Sequence, residues 1–556
     1  MKPGQSPLFK WSATFALAAL GWLWLIPTGV GQEVMPRLAE VGPWPAVSRL
    51  VGYGDRLWLA NSVKGRNHNS TDVYSFDPLR GDLRYERHLF SQDAGRPLVA
   101  NGLLYWPFED GRVSLGWGDF MVTDGERWRL GTVPSAEIFH VHAMAQVGGR
   151  LVAATSAWRA GLQVSTDRDR SWQALYDHPM PERRVSRITE LIEVNGRALA
   201  YLTSRDRQRV LVLDGDTVAE LAGWPKEAPL LGWARRGSWV YGLVEAEDGT
   251  AVWRSDGMAV EQVAPARNGW RPRALAAGEG ALWAVTSEGA GGFVWRSGDG
   301  RTWERSRVVQ DGQPSDLVLH DGWLYVGGVG DDGSGALWGE RLGPTLARAS
   351  AAPAQLNDAP RHSDEAGPRA LADRLGPALA EPESFRDYGE ALRDLVLDFA
   401  RQTPAPETWA PLLDRATDNQ WPAVSQSHFS DGSTIGAEML GRWILLWGMS
   451  LAGTGVVPVD WLSEAWTTPA NPAEKYYATA PAAIWTAGEV GQNDAATIGA
   501  LVARLDRQDD PLWLTGDVVG ALAALTGQRF AYDRAAWRNW WEKARAEWPA
   551  VAKSSQ

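Results

Sequence analysis

The chain has no cysteine in 556 residues. That absence excludes disulfides, thiolate metal centres, a cysteine nucleophile and a lipid-modified N-terminal cysteine. There is also no HExxH, no phosphate-binding loop and no dinucleotide fingerprint. Basic residues are outnumbered, 55 Lys and Arg against 67 Asp and Glu, for a net charge of −12. A sequence-independent grip on nucleic-acid phosphates is not expected of such a chain. Long apolar runs are nearly absent: beyond residues 11–26 the best is 443–453, eleven residues, too short to cross a bilayer. What is abundant is tryptophan, 32 residues against 12 Tyr and 12 Phe. With 44% hydrophobic and 22% charged residues the chain is globular and long enough for several domains.

The apolar run WSATFALAALGWLWLI follows Lys2 and Lys10 with no acid before it, the layout of an export signal. Gly29-Val30-Gly31 ahead of Gln32 sets small residues at a possible cut after Gly31. Residues 1–31 are therefore read as a signal peptide or a retained signal anchor, with a buried helix as the alternative. Either export reading places the rest of the chain outside the cytoplasm, periplasmic, secreted or tethered to the inner membrane.

From residue 46 to 344 a two-residue turn followed by an apolar strand recurs, as in GDRLWLANS, NGLLYWPF, GGRLVAATS, NGRALAYLTS, RGSWVYGLV, EGALWAVTS and DGWLYVGGV. The second turn positions, Asp55, Gly102, Gly149, Gly196, Gly237, Gly280 and Gly322, step by 47, 47, 47, 41, 43 and 42. A second landmark runs in phase, an aspartate at Asp77, Asp124, Asp167, Asp214, Asp256 and Asp299. Units of this length with about four strands are propeller blades, and the copies predict a seven-bladed β-propeller over 32–344. An open ring would leave a bare strand edge. The last copy is one strand short, so residues 34–41 are expected to supply its outer strand.

Two of the aspartate landmarks, STDRDRSW with Ser165, Asp167 and Trp172, and SGDGRTW with Ser297, Asp299 and Trp303, resemble the Asp-box of BNR repeats. Asp124 with Trp128 makes a degenerate third. The resemblance covers about 300 residues. It implies that the Asp caps the turn between the third and fourth strands and that the Trp packs between blades. The residues agree: Asp accepts from turn amides and Trp fills a wedge. Of the 32 tryptophans, 17 fall in this region, 12 in the tail and three in the N-terminal run.

Residues 345–370, rich in Ala, Pro and Ser, read as a linker. Beyond it the apolar period becomes helical, with runs at 385–401, 435–451, 459–466, 476–487, 495–505, 512–525 and 534–546. The last two, with Asp533 placed to cap and Trp537, Trp540 and Trp541 following, resemble the terminal unit of bacterial HEAT-like repeat proteins. The resemblance implies an α-helical HEAT-like domain over 371–556 and, for such solenoids, a protein-binding role.

The sialidase branch of the propeller resemblance implies three arginines on a substrate carboxylate and a Tyr nucleophile assisted by Glu. Polar residues precede the first turn of several copies: Arg96, His140, His142, Arg187, Arg271, Arg273 and Asp316. They are candidates for lining one mouth of the central channel. No Tyr and Glu pair stands with them, and no catalytic residue is assigned. His140 and His142 face one side of a strand and could share a metal, yet no third ligand is visible by spacing. The loops 61–72 and 106–119 and the tryptophans Trp117 and Trp158 are secondary binding candidates. His428, Asp431 and Ser433 are close in sequence without a nucleophile-elbow context, and Asp431-Gly432-Ser433 reads as a helix-start turn. The string from Asp331 to Gly335 reads as a hairpin turn. No cofactor or metal is called for. The reading is an exported, non-catalytic binding or scaffolding protein whose partner is a protein or a cell-surface glycan. It has no nucleic-acid partner and touches a membrane only through its N-terminal segment. The alternative is a sialidase-like hydrolase at the channel mouth.

Overall fold

The computed structural model describes residues 33–63, 70–91, 93–109, 117–134, 138–157, 159–178, 186–204, 207–343, 356, 385–402, 405–417, 425–427, 434–458, 461–462 and 479–548. The N-terminal signal or anchor, most of the linker, Trp158, and His428, Asp431 and Ser433 lie outside these residues.

The first part is a propeller-like succession of antiparallel sheets. Consecutive strands group as sheet 1 (46–89), sheet 2 (98–134), sheet 3 (138–178), sheet 4 (186–220), sheet 5 (230–268), sheet 6 (272–309) and sheet 7 (312–341). Sheets 3 and 4 are stitched by a single pair, Ser156 with Arg187. Sheet 7 has three consecutive strands, and Arg37–Val41 completes it antiparallel to Gly335–Arg341. Glu33–Val34 instead pairs parallel with Glu304–Val309 on sheet 6. The expected closing strand is thus divided between two sheets. Pro36 has no amide to donate and sits at the break, its carbonyl accepting from Gly339 N at 3.1 Å. Arg37 pins the closure on Asp332 and Ser334 at 3.0 and 2.9 Å.

The turn between the first two strands of each sheet sets the period. Asn101-Gly102, Gly148-Gly149, Asn195-Gly196, Glu279-Gly280 and Asp321-Gly322 have positive φ at both central residues, the hairpin form that matches strand twist. In sheet 5 the central pair is Gly237-Ser238, one residue later than the sequence alignment of copies placed it. The second turn positions then step by 47, 47, 47, 42, 42 and 42.

The aspartates of the second landmark cap turns. Asp299 Oδ1 accepts from Arg301 N and Thr302 N at 2.8 and 2.9 Å, and from Ser297 Oγ at 3.2 Å. These bonds, that from Thr302 N foremost, hold its carboxyl below the usual range. Asp124, Asp167 and Asp256 repeat the pattern. The tryptophan that follows leans back toward the preceding sheet: Trp128 on Trp58 (6.0 Å between centroids), Trp172 on Phe120 (6.1 Å), and Trp303 on Trp270 (5.1 Å) in the segment joining sheets 5 and 6. Replacing Asp299 with alanine orphans two turn amides and is expected to cost about 1–2 kcal/mol in a urea titration. An unchanged midpoint would mean that the turn holds without its cap.

The second part is helical: α1 Phe385–Ala400, α2 Ala410–Thr417, α3 Ala437–Ala452, α4 Thr479–Glu489, α5 Ala495–Arg504, α6 Leu512–Thr526 and α7 Arg534–Ala544. A 3₁₀ turn at Pro406–Trp409 and α2 have no counterpart in the apolar period. Asp533 caps α7 through Ala536 N at 2.9 Å, as its position suggested. Twelve of the 15 residues of α6 are buried, including Asp517, because the helix is enclosed on all sides. Part of that enclosure is sheet 1. One apolar cluster contains Tyr85 and Leu89 of sheet 1 and Phe90 just after it, together with Trp443, Trp485, Leu514 and Val518 of the helices. Leu356, the one described residue between 343 and 385, is 6% exposed, and its N–H donates to Asp124 at 3.1 Å. Among the described residues no helix is long and apolar enough to cross a membrane.

Candidate ligand site at the channel mouth

Five positions before the turn between the first two strands of each sheet stand Arg49, Arg96, Ala143, Glu190, Gly232, Ala274 and Asp316, all on the first strand except Arg96, which lies just ahead of it. In sheets 1, 3, 4, 5, 6 and 7 that residue follows a β-bulge. In sheet 2, Arg96 bridges directly to Ala143 of sheet 3. These positions therefore form one tier around the axis, charged in sheets 1, 2, 4 and 7 and nearly without side chain in sheets 3, 5 and 6. Asp316 of sheet 7 accepts from Leu50 N of sheet 1 at 2.9 Å across 266 residues of sequence.

The candidates divide on this frame. Arg96 Nε lies 2.7 Å from Glu190 Oε2, reaching past the small Ala143. Arg187 Nη1 is 3.9 Å from Glu109 Oε1. His140 and His142 stack at 5.1 Å between centroids, and His142 Nε2 is 2.6 Å from Ser156 Oγ. Burial, helped by the neighbouring His140 ring and by the charges of Arg187 and Arg49, holds His142 well below the usual imidazole range. Burial likewise raises Asp316 against the opposing pull of Arg49 and Arg96. Arg271 does not join them. It lies against sheet 5, 3.1 Å from Glu245, and donates to the carbonyls of Ala246, Glu247 and Gly249. Arg273 occupies the bulge position of sheet 6 and is exposed.

Arg49, Asp93, Glu109 and Glu190 belong to the cluster and were not singled out from the sequence. Arg49 feels Asp93, Glu190, Asp316 and Glu109, in that order, and their charges raise it against the cost of burial. Asp93 is held by Ser48 Oγ, Ser62 Oγ and Ala94 N at 3.0, 2.6 and 2.9 Å. The signal that could have found Arg49 and Glu190 is the fixed offset from the turn. Asp93 and Glu109 lie outside that phase. Among the described residues no group of three or more His, Cys, Asp and Glu is placed to hold a metal. The side chain of Trp117 lies outside the described set. Of the loop 61–72, Asn61 and Asp72 are wholly buried and bind Trp44. Asp332 caps its hairpin turn by accepting from Ser334 N at 3.0 Å.

No family model matches the sequence. No curated protein matches it either. The fold is similar to several solved structures at low identity. The β-propeller domain of the trilobed protease from Pyrococcus furiosus is 7% identical and has a TM-score of 0.38. That match covers 55% of this chain and 99% of the other. The polysaccharide lyase Uly1 is 9% identical with a TM-score of 0.37, over 57% of this chain and 93% of the other. The acylaminoacyl peptidase of Pyrococcus horikoshii is 11% identical with a TM-score of 0.36, over 54% of this chain and 52% of that one.

Proposed function

We propose that this is an exported, non-catalytic binding and scaffolding protein. In this reading residues 32–344 form a seven-bladed propeller of the Asp-box type, and 371–556 form a HEAT-like helical domain. Residues 1–31 act as signal or anchor, and the partner is a protein or a cell-surface glycan, in the setting of an envelope assembly. The observation that carries the non-catalytic part is the charge pairing at the mouth. A sialidase-like hydrolase needs several arginines converging on one substrate carboxylate. Here Arg96 is matched by Glu190 and Arg187 faces Glu109, while Arg271 lies away from the mouth against Glu245. Each of these guanidinium groups faces a carboxylate of its own, so the three do not converge on one point.

Affinity capture of the full-length protein from its native envelope, with cross-linking and mass spectrometry, tests the reading. A specific protein recovered in stoichiometric amount is the expected result. Recovery of none, together with turnover of a sialoside by the purified protein, would replace the scaffold with the hydrolase.

A further inference from the structure

Among the described residues Arg49 is the one tier arginine with no carboxylate at ion-pair distance. Among the described residues its single hydrogen bond is a long one, from Nη1 to the carbonyl of Ser48 at 3.4 Å. Its Nε is shut off from solvent and has no partner. Four carboxylates act on it, and the two not engaged by other arginines, Asp93 and Asp316, are held in place by protein donors. Across the same tier Gly232 and Ala274 put no bulk into the ring.

This arrangement is selective by charge. A guanidinium with free donors attracts an anionic group, preferably a planar carboxylate that two N–H groups can hold together. A bare anion would also meet Asp93, Glu109, Glu190 and Asp316. A bare cation would meet Arg49, Arg96 and Arg187. A molecule carrying both signs a few ångströms apart satisfies both sets. We infer that the channel tier around Arg49 binds a zwitterionic α-amino acid, its carboxylate on Arg49 and its ammonium toward Asp93 and Asp316. The site is independent of any macromolecular partner, so its failure leaves the scaffold reading standing, and the converse holds.

Isothermal titration of the full-length protein with L-alanine, propionate and ethylamine, three probes of similar size, separates the cases. L-Alanine is expected to bind, with propionate and ethylamine at least about tenfold weaker. Arg49→Met should abolish alanine binding, whereas Arg271→Met, outside the tier, should bind like the parent. If Arg49→Met does not fold, Arg49→Lys keeps the charge without the fork and should bind about tenfold more weakly. The proposal is overturned if propionate binds as well as alanine, which would make this a plain anion site. It is equally overturned if none of the probes binds, or if folded Arg49→Met retains alanine.

Discussion

Gly516→Val is expected to detach the helices from sheet 1 and to lower stability by more than about 3 kcal/mol, as overpacking adds to stranded buried charge. The reason is how closely α6 lies on the outer strand of sheet 1, Asp82–Leu89. A Cβ on Gly516 would stand 2.5 Å from the His88 ring and 2.9 Å from the Tyr532 hydroxyl, and one on Gly520 would stand 2.8 Å from His88 Cβ. Neither clash is with the free end of a flexible chain. His88 is wholly buried, with Nδ1 2.8 Å from Asp72 Oδ1 and Nε2 3.8 Å from Asp517 Oδ1. Tyr532 and Trp44 both donate to Asp72 Oδ2 at 2.8 Å. Pushing α6 outward breaks this network and leaves carboxylates in an apolar seam. Arg87 pairs with Glu489 and Arg529 donates to the Glu86 carbonyl along the same seam, so the loss spreads. Gly499→Ala in α5 is the matched control. Its Cβ would meet nothing nearer than Trp541 at 3.5 Å, and the helix gains up to about 1 kcal/mol from alanine. Urea titration with hydrogen exchange on the outer strand of sheet 1 reads both. Equal midpoints for the two variants would refute the close-docking account.

That seam was the part of the fold least legible in the sequence. Gly516, Gly520 and His88 carry no signal of their own in the sequence, and Asp72 stands there only as the end of a candidate binding loop, whereas it lies on the inner strand Thr71–Asp77. Nothing local says that the two faces meet. The propeller-like part was legible because its signals are local and repeated: a turn needing positive φ, an aspartate that caps, a tryptophan that leans on the sheet before it. The mouth was half legible. Arg96 and Asp316 stand in the tier, but Arg271 does not, because a β-bulge beside the tier breaks the two-residue alternation that tells inward from sideways. Counting back from the turn survives the bulge and would have selected Arg49 and Glu190 while leaving Arg271 out.

Asp119→Asn is expected to remove a large pH dependence from the stability of the same seam. Asp119 belongs to Trp117–Thr123 of sheet 2 and faces α3 and α4, where Trp443, Trp447 and Trp485 enclose a cavity of about 10 Å³, room for one water at most. Its Oδ1 has no hydrogen-bond partner, while the neighbouring Thr132 hydroxyl and Trp447 indole favour the ionised form. Burial pushes it up to about 7, outweighing those two neighbours. In the unfolded chain the same carboxyl ionises near its ordinary value of 3.8. Between these two values the native state holds a proton that the unfolded state has lost, so stability falls as pH rises and levels off above about 7. A shift of this size is worth on the order of 4 kcal/mol. The turn-capping carboxylates, Asp299 among them, lie below the usual range and act in the opposite sense, losing their contribution only as pH falls through their native values. Subtracting the variant's curve from the parent's isolates Asp119. The difference should grow from about pH 4 to about pH 7 in favour of the asparagine and stay flat beyond. Parallel curves across that window would mean that the carboxyl is solvated in the native state and that the tryptophan cage admits water freely.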